Sequence, residues 1–279
     1  MKKIIWGYAC PAYWELTRMD ENPLYAKLKL MEHFGFSTAG QSIGGIADMN
    51  DADRENLWQY LADHSLTLCP EIGYDYVHAT ADEIKRKTEE IAGMLGKFGP
   101  LMKGAIVTTG PRAGHRFDRE MPLSEKMERL SKALAPLAAF CKGLGTPLGI
   151  ENHGDYYCSD LVELCRQTPD LYIFLDTGNV YLVGERPMPA YEAAAPYTIG
   201  THFKDHFVHP DPQQLHFVVE GSPLGEGDVP LRECYDLLMK HAPFNTIVMQ
   251  MEMISPKGMN PMECLKKSVD FIRTLGGRS

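Results

Sequence analysis

PLGIENHGD (147–155) passes from proline, leucine, glycine and isoleucine straight into a carboxylate, an amide and an imidazole. Its first half has the composition of a strand buried on both faces. Ending such a strand on Glu151, Asn152 and His153 puts polar groups beside a core, which is costly unless they are partnered. The pattern returns three times along the chain. LYIFLD (171–176) closes on Asp176, TIGTHFK (198–204) carries His202, and TIVMQME (246–252) closes on Glu252.

Working outward, further short apolar runs occur at KIIWGYA (3–9), FSTAGQSI (36–43), LTLCPEI (66–72) and GAIVTTG (104–110). Amphipathic stretches lie between them. DADRENLWQYLADH (51–64) and ADEIKRKTEEIAGMLGKF (81–98) place apolar residues at helical spacing, and LSEKMERLSKALAPLAAFCKGLG (123–145) offers Ser124 as a cap. SDLVELCRQ (159–167), a short stretch over 186–196, LRECYDLLMKH (231–241) and NPMECLKKSVDFIRTLGG (260–277) complete the set. Strand and helix alternate about eight times, the rhythm of a parallel α/β fold. A doubly wound sheet would carry a glycine-rich turn after the first strand, but CPAYWE follows KIIWGYA. The expectation is a (β/α)8 TIM barrel forming one domain over 1–279. The longest irregular part, 205–228, is expected to hold a hairpin around LHFVVE and to act as a mobile cover.

Composition narrows the functional classes. A net charge of −9 and the lack of any basic run of five or more residues argue against nucleic-acid binding. The seven cysteines are scattered and form no CxxC, so neither a disulfide framework nor a cysteine zinc site is expected. No run reaches the length of a membrane span. A cytoplasmic protein is expected.

In a barrel, residues at the C-terminal ends of strands converge on one face. Glu151, Asp176, His202 and Glu252 each end a different strand. Singly, a strand-terminal acid is ordinarily a solvated edge residue or a cap, and Asp176 before Thr177–Gly178–Asn179 could simply make a turn. Together, three carboxylates and an imidazole at one mouth would repel unless balanced. One divalent cation balances them, and an O/O/O/N set suits manganese, magnesium, cobalt or zinc.

The motifs IENHG, FLDTGN, THFKD and MEM, with PLGEGDVPL between the last two, resemble the xylose isomerase-like TIM barrels. That superfamily includes sugar phosphate isomerases/epimerases, ketose 3-epimerases, hydroxypyruvate isomerase, keto-inositol dehydratase and the AP endonuclease 2-type family. The resemblance covers 145–255 in motif and the whole chain in rhythm. It implies that Glu151, Asp176, His202 and Glu252 are the metal ligands and that the two glutamates are the acid/base pair. It further implies a metal-dependent isomerase or epimerase of a small sugar, sugar phosphate or polyol-derived ketone. A dehydratase of a keto-inositol substrate and a non-catalytic sugar-binding barrel are the alternatives. Asn179, Val208 and Tyr157 stand where ketose 3-epimerases carry histidine, arginine and glutamate. The histidines needed for a three-zinc endonuclease are missing.

Strand alternation supplies neighbours: His153 beside Glu151, Lys204 beside His202, and Gln250 beside Glu252. His153, Lys204 and Asn179 are candidate substrate contacts, with Glu226 reaching in from the LGEGD loop. Tyr8, Trp14, Glu71 and His115–Arg116 lie at or beyond strand ends of the first half; Tyr8 and Trp14 would form an apolar wall for a sugar ring or pack in the core. Arg112, Arg116 and Lys204 are candidate phosphate partners, though no P-loop signature occurs. The partner expected is a small-molecule sugar, with no nucleic acid and no membrane; a homodimer is possible.

Overall fold

Eight apolar runs pair side by side, all parallel, and close into a barrel. The computed structural model describes residues 2–9, 20, 22–98, 101–109, 114–214 and 216–275. The barrel strands are β1 (Lys3–Tyr8), β2 (Thr38–Ser42), β3 (Thr67–Gly73), β4 (Ala105–Thr108), β5 (Leu148–Glu151), β6 (Leu171–Asp176), β7 (Thr198–Phe203) and β10 (Thr246–Met251). Their order around the barrel is β1-β10-β7-β6-β5-β4-β3-β2, so the strands expected to end in the four candidate ligands are consecutive neighbours. β8 (Asp205–Pro210) and β9 (Phe217–Ser222) form a separate antiparallel hairpin.

The outer layer contains α1 (Pro23–Phe34), α2 (Ile43–Ala47), α3 (Asp51–Asp63), α4 (Ala81–Phe98), α5 (Leu123–Gly143), α6 (Cys158–Gln167), α7 (Pro187–Ala194), α8 (Leu231–His241) and α9 (Pro261–Thr274). Helix α1 has no counterpart in the sequence expectations. LYAKLKL alternates apolar and polar residues, and helical burial of Leu24, Leu28 and Met31 emerges only when the barrel is present. Asn22 starts the helix by accepting from the Leu24 amide, with proline at the first helical position. Ser124 is not the cap of α5: Pro122 holds that place and Ser124 lies in the first turn.

The main core lies between barrel and helices. A second, small cluster of Cys69, Ile106, Phe174 and Ile199 fills part of the barrel interior. Phe174 takes its place because Gly200 opposite has no side chain. A Cβ there would lie 2.4 Å from the Phe174 ring and 2.7 Å from the Val248 carbonyl oxygen. The apolar ring thus forms a floor, and the polar strand ends stand above it.

The stretch 205–228 contains the expected hairpin, but its ends are tied down rather than loose. Asp205 is buried, and its carboxylate accepts from the amides of His206 (2.8 Å), Gly225 (2.8 Å), Gly227 (3.1 Å) and Val229 (3.1 Å). Asp205→Ala leaves those amides without their acceptor, and an orphaned donor costs about 1–3 kcal/mol. We expect a loss of about 3 kcal/mol or more in urea denaturation. An unchanged midpoint would show that the hairpin is held by its apolar contacts alone.

Candidate functional site

Glu151 and Asp176 are the last residues of β5 and β6, and His202 lies one residue before the end of β7. Glu252 follows β10 directly, and Lys204 follows β7. In register, Asp176 pairs with His202, and His202 with Gln250. Alternation then turns these side chains toward the barrel axis.

The carboxylates and cations interlock. His202 Nδ1 lies 3.0 Å from Glu151 Oε1 and 3.4 Å from Glu252 Oε2. The Lys204 ammonium lies 2.7 Å from Asp176 Oδ2 and 3.0 Å from Glu252 Oε2, and donates to Asn179 Oδ1 at 3.4 Å. Burial alone pushes the His202 imidazole down. The carboxylates of Glu151 and Glu252 outweigh it, and the result is raised to about 10. Lys204 behaves likewise: burial lowers it, Asp176 and Glu252 raise it further, and the net direction is up. Lys204 is therefore cationic beside the acids, and the same acids favour the protonated imidazole of His202, a proton that a metal held there would displace.

Backbone bonding fixes the acids in place. Asp176 does make the turn considered from sequence, since its Oδ1 accepts from the amides of Gly178 (2.8 Å) and Asn179 (2.9 Å). That leaves Oδ2 facing the site. Two side chains missed in the sequence reading join the strand ends. Asn152 accepts from the Asp176 amide (2.7 Å) and donates to its carbonyl (2.9 Å), so β5 and β6 stay paired one step beyond the sheet. Thr177 does the same for the chain at Lys204, accepting from its amide (2.8 Å) and donating to its carbonyl (2.7 Å). Both lie inside the quoted motifs. A short polar residue directly before or after a ligand-bearing strand end was the available signal.

A cleft of about 280 Å³ opens above these residues. Glu151, His153, His202 and Glu252 line one side; Ser42, Glu71 and Thr108 line the other. Ligand sites run roughly 300–1,000 Å³, so this one suits a small molecule. The Asp155 carboxylate turns the loop after β5 by accepting from the amides of His153 (3.2 Å) and Tyr156 (2.9 Å), and it takes a bond from the Thr109 hydroxyl. This presents His153 to the cleft.

Other expected contacts fall elsewhere. Tyr8 is buried in the main core: Ala9 lines the cleft, so the residue before it points outward toward the helices. Glu226 is exposed and held by Lys267 of α9 at 2.9 Å, away from the cleft lining. Asn179 is buried behind Lys204. Arg116 is paired with Asp160 and stacked over Tyr157 at 3.4 Å. Trp14 and Arg112 lie outside the described residues.

The donor set passes the chemical test for a divalent cation. Ligating atoms of Glu151, Asp176 and His202 all lie within 4.8 Å of one another. His202 Nε2 and Asp176 Oδ2 are buried without a hydrogen-bond partner of good geometry; the Lys204 ammonium near Asp176 Oδ2 is a charge contact. Oxygen donors joined by one imidazole suit the metals named above. Glu252 stands at the edge of this group, shared between Lys204 and His202.

No curated protein matches the chain. Among solved structures, L-ribulose 3-epimerase is 18% identical, with 98% of this chain and 94% of that one covered at a TM-score of 0.68. The IOLI protein with a bound zinc atom is 13% identical, with 98% and 96% covered at 0.69. A probable 3-DHS dehydratase from Bacillus anthracis is 16% identical, with 98% and 99% covered at 0.65. These likenesses establish a common fold. The family model described as xylose isomerase-like TIM barrel matches residues 28–275, and with the closed eight-stranded barrel this shows that the chain belongs to that family.

Proposed function

We propose that this protein is a divalent-metal-dependent isomerase or epimerase that moves a proton next to the carbonyl of a small sugar or polyol-derived ketone. The observation that carries the proposal is the pair Glu151 and Glu252, on different strands, both lining the cleft and both within reach of His202. Such a reaction needs a base to take a weakly acidic carbon-bound proton and an acid to return it. Two carboxylates on separate strands supply both from different directions. Sugar epimerases on the same fold, such as L-ribulose 3-epimerase, agree with this choice.

Glu151, Asp176, His202 and Glu252 would hold the metal. When bound, it would polarise the carbonyl and a neighbouring hydroxyl as a Lewis acid. Lys204, cationic and buried, counters negative charge at the mouth as it develops on an oxygen. His153 offers a hydrogen bond to a substrate hydroxyl at the cleft rim. The buried surroundings of Glu151 and His202 exclude water, which strengthens each of these contacts.

Metal binding is tested apart from turnover. Manganese or magnesium at 100 times its dissociation constant is expected to stabilise the wild type by about 2.7 kcal/mol, read as a rise in melting temperature. An Asp176→Ala, His202→Ala double variant should show no rise and carry no metal by elemental analysis. Equal metal content in variant and wild type would overturn the ligand assignment.

Proton transfer is tested by the isosteric amides. Glu151→Gln or Glu252→Gln keeps a ligating oxygen but removes the base, and each is expected to lose a factor on the order of 10² or more in rate. Wild-type turnover in deuterated water should place deuterium on the reacting carbon. A Glu252→Gln enzyme at near wild-type rate would remove that residue from the mechanism, and an enone-like product would assign elimination instead.

A further inference from the structure

The wall facing the candidate ligands belongs to the first half of the barrel, where β3 stands opposite β7. Among the described residues, the one ionisable side chain on that wall of the cleft is Glu71. No donor among the described residues bonds its carboxylate. Beside it stands Gln250, fully buried, whose amide has no nitrogen or oxygen partner and lies next to the Cys69 thiol. The two meet over Gly40. A Cβ there would lie 2.2 Å from Glu71 Oε1 and 2.4 Å from Gln250 Oε1, so only a bare α-carbon lets both oxygens approach. Turning the Gln250 amide over would offer one donor and still leave a carboxylate oxygen facing the cleft. The missing partner at this wall is a hydrogen-bond donor.

The nearby cations are already committed. Lys204 is paired with Asp176 and Glu252, Arg116 with Asp160, and Lys27 donates to the Gly40 carbonyl at 2.7 Å. A phosphate dianion entering the cleft would meet Glu71, Glu151 and Glu252 without an unengaged lysine or arginine among the described lining residues. A sugar hydroxyl, by contrast, donates readily to Glu71, the acceptor over Gly40 that lines the cleft, with Gln250 buried behind it. Burial pushes the Glu71 carboxyl up, against the pull of His202 and Lys27, and a hydroxyl can partner it in either protonation state.

We propose that Glu71, backed by the buried Gln250, is the specificity-determining group of the cleft: it binds a substrate hydroxyl on the wall facing the candidate ligands, so the site takes unphosphorylated polyhydroxy carbonyl compounds and rejects their terminal phosphate esters. This rests on the proton-transfer chemistry proposed above.

The test uses the metal-loaded full chain in deuterated water with D-fructose, D-tagatose and D-ribulose, each beside its terminal phosphate ester, and mass spectrometry reads deuterium uptake. For whichever pair exchanges, the free sugar is expected to exceed its ester by a factor on the order of ten or more in kcat/KM. Glu71→Gln should narrow that ratio at least several-fold, by losing rate on the free sugar and gaining on the ester, with metal content and melting temperature near wild type. A wild type that prefers the ester, or treats both alike, overturns the selectivity. A folded Glu71→Gln that leaves the ratio unchanged overturns the role of Glu71. If that variant does not fold, Glu71→Ser and the wild-type ratio decide. Neither deuterium uptake nor isomeric product from any member of any pair overturns the proton-transfer proposal itself, an outcome distinct from turnover with the wrong preference.

Discussion

Like charges repel most strongly where water is excluded, and the mouth of this barrel gathers Glu151, Asp176 and Glu252 into such a place. Asp176 has no exposed surface and Glu151 is nearly as deep. The protein answers with two cations, His202 and Lys204, each shared between two acids. Much of the surrounding structure serves to hold this balance. Asn152 and Thr177 carry backbone pairing past the sheet edge, so the strand ends cannot splay apart under repulsion. Asp176 is further pinned by two amides of its own turn. An isolated buried charge would neutralise or swing into solvent; these are given neither freedom.

The barrel divides the labour between its two halves. β5, β6, β7 and β10, adjacent in the closed sheet, bring together Glu151, Asp176, His202 and Glu252, the groups of the proposed site. The strands β1 to β4 contribute smaller residues and one acid to the facing wall. The space between is set by what is absent from the backbone: no side chain at Gly40, and none at Gly200, which leaves room for the Phe174 ring. Function sits on strand ends, and the helices behind them supply the buried area that keeps the ends in register.

The fold and the acid–imidazole cluster were legible because both are written in local pattern. A buried strand announces itself by an uninterrupted apolar run, and an acid terminating it is conspicuous. What escaped was decided over longer range. LYAKLKL forms α1 because the barrel supplies a surface for it, overriding its alternating pattern. Of the two places open to Tyr8 from sequence, the structure gives the core, because Ala9 next to it faces the cleft and alternation turns Tyr8 outward. Glu226 was taken by Lys267, a partner on a helix that the loop sequence gives no sign of. Asn152 and Thr177 stood in plain view inside the motifs, but nothing in the residue names says that an amide and a hydroxyl would imitate a β-ladder.

The Phe174 floor closes the barrel beneath the acid layer among the described residues. Its ring, with Cys69, Ile106 and Ile199, separates the acid layer from the cavity at the far end, which is bounded by Phe174 and Ile199 on its inner side. A molecule in the cleft has no passage through that floor to the opposite end of the barrel. In the proposed reaction, reactant and product would share the mouth of the cleft, and a proton held by a glutamate would trade with bulk solvent only while that mouth is clear. Slow departure would retain the proton for return to the same molecule; rapid departure would let it be lost to the medium. The degree of isotope washout is thus a clock for the residence of the molecule in the cleft.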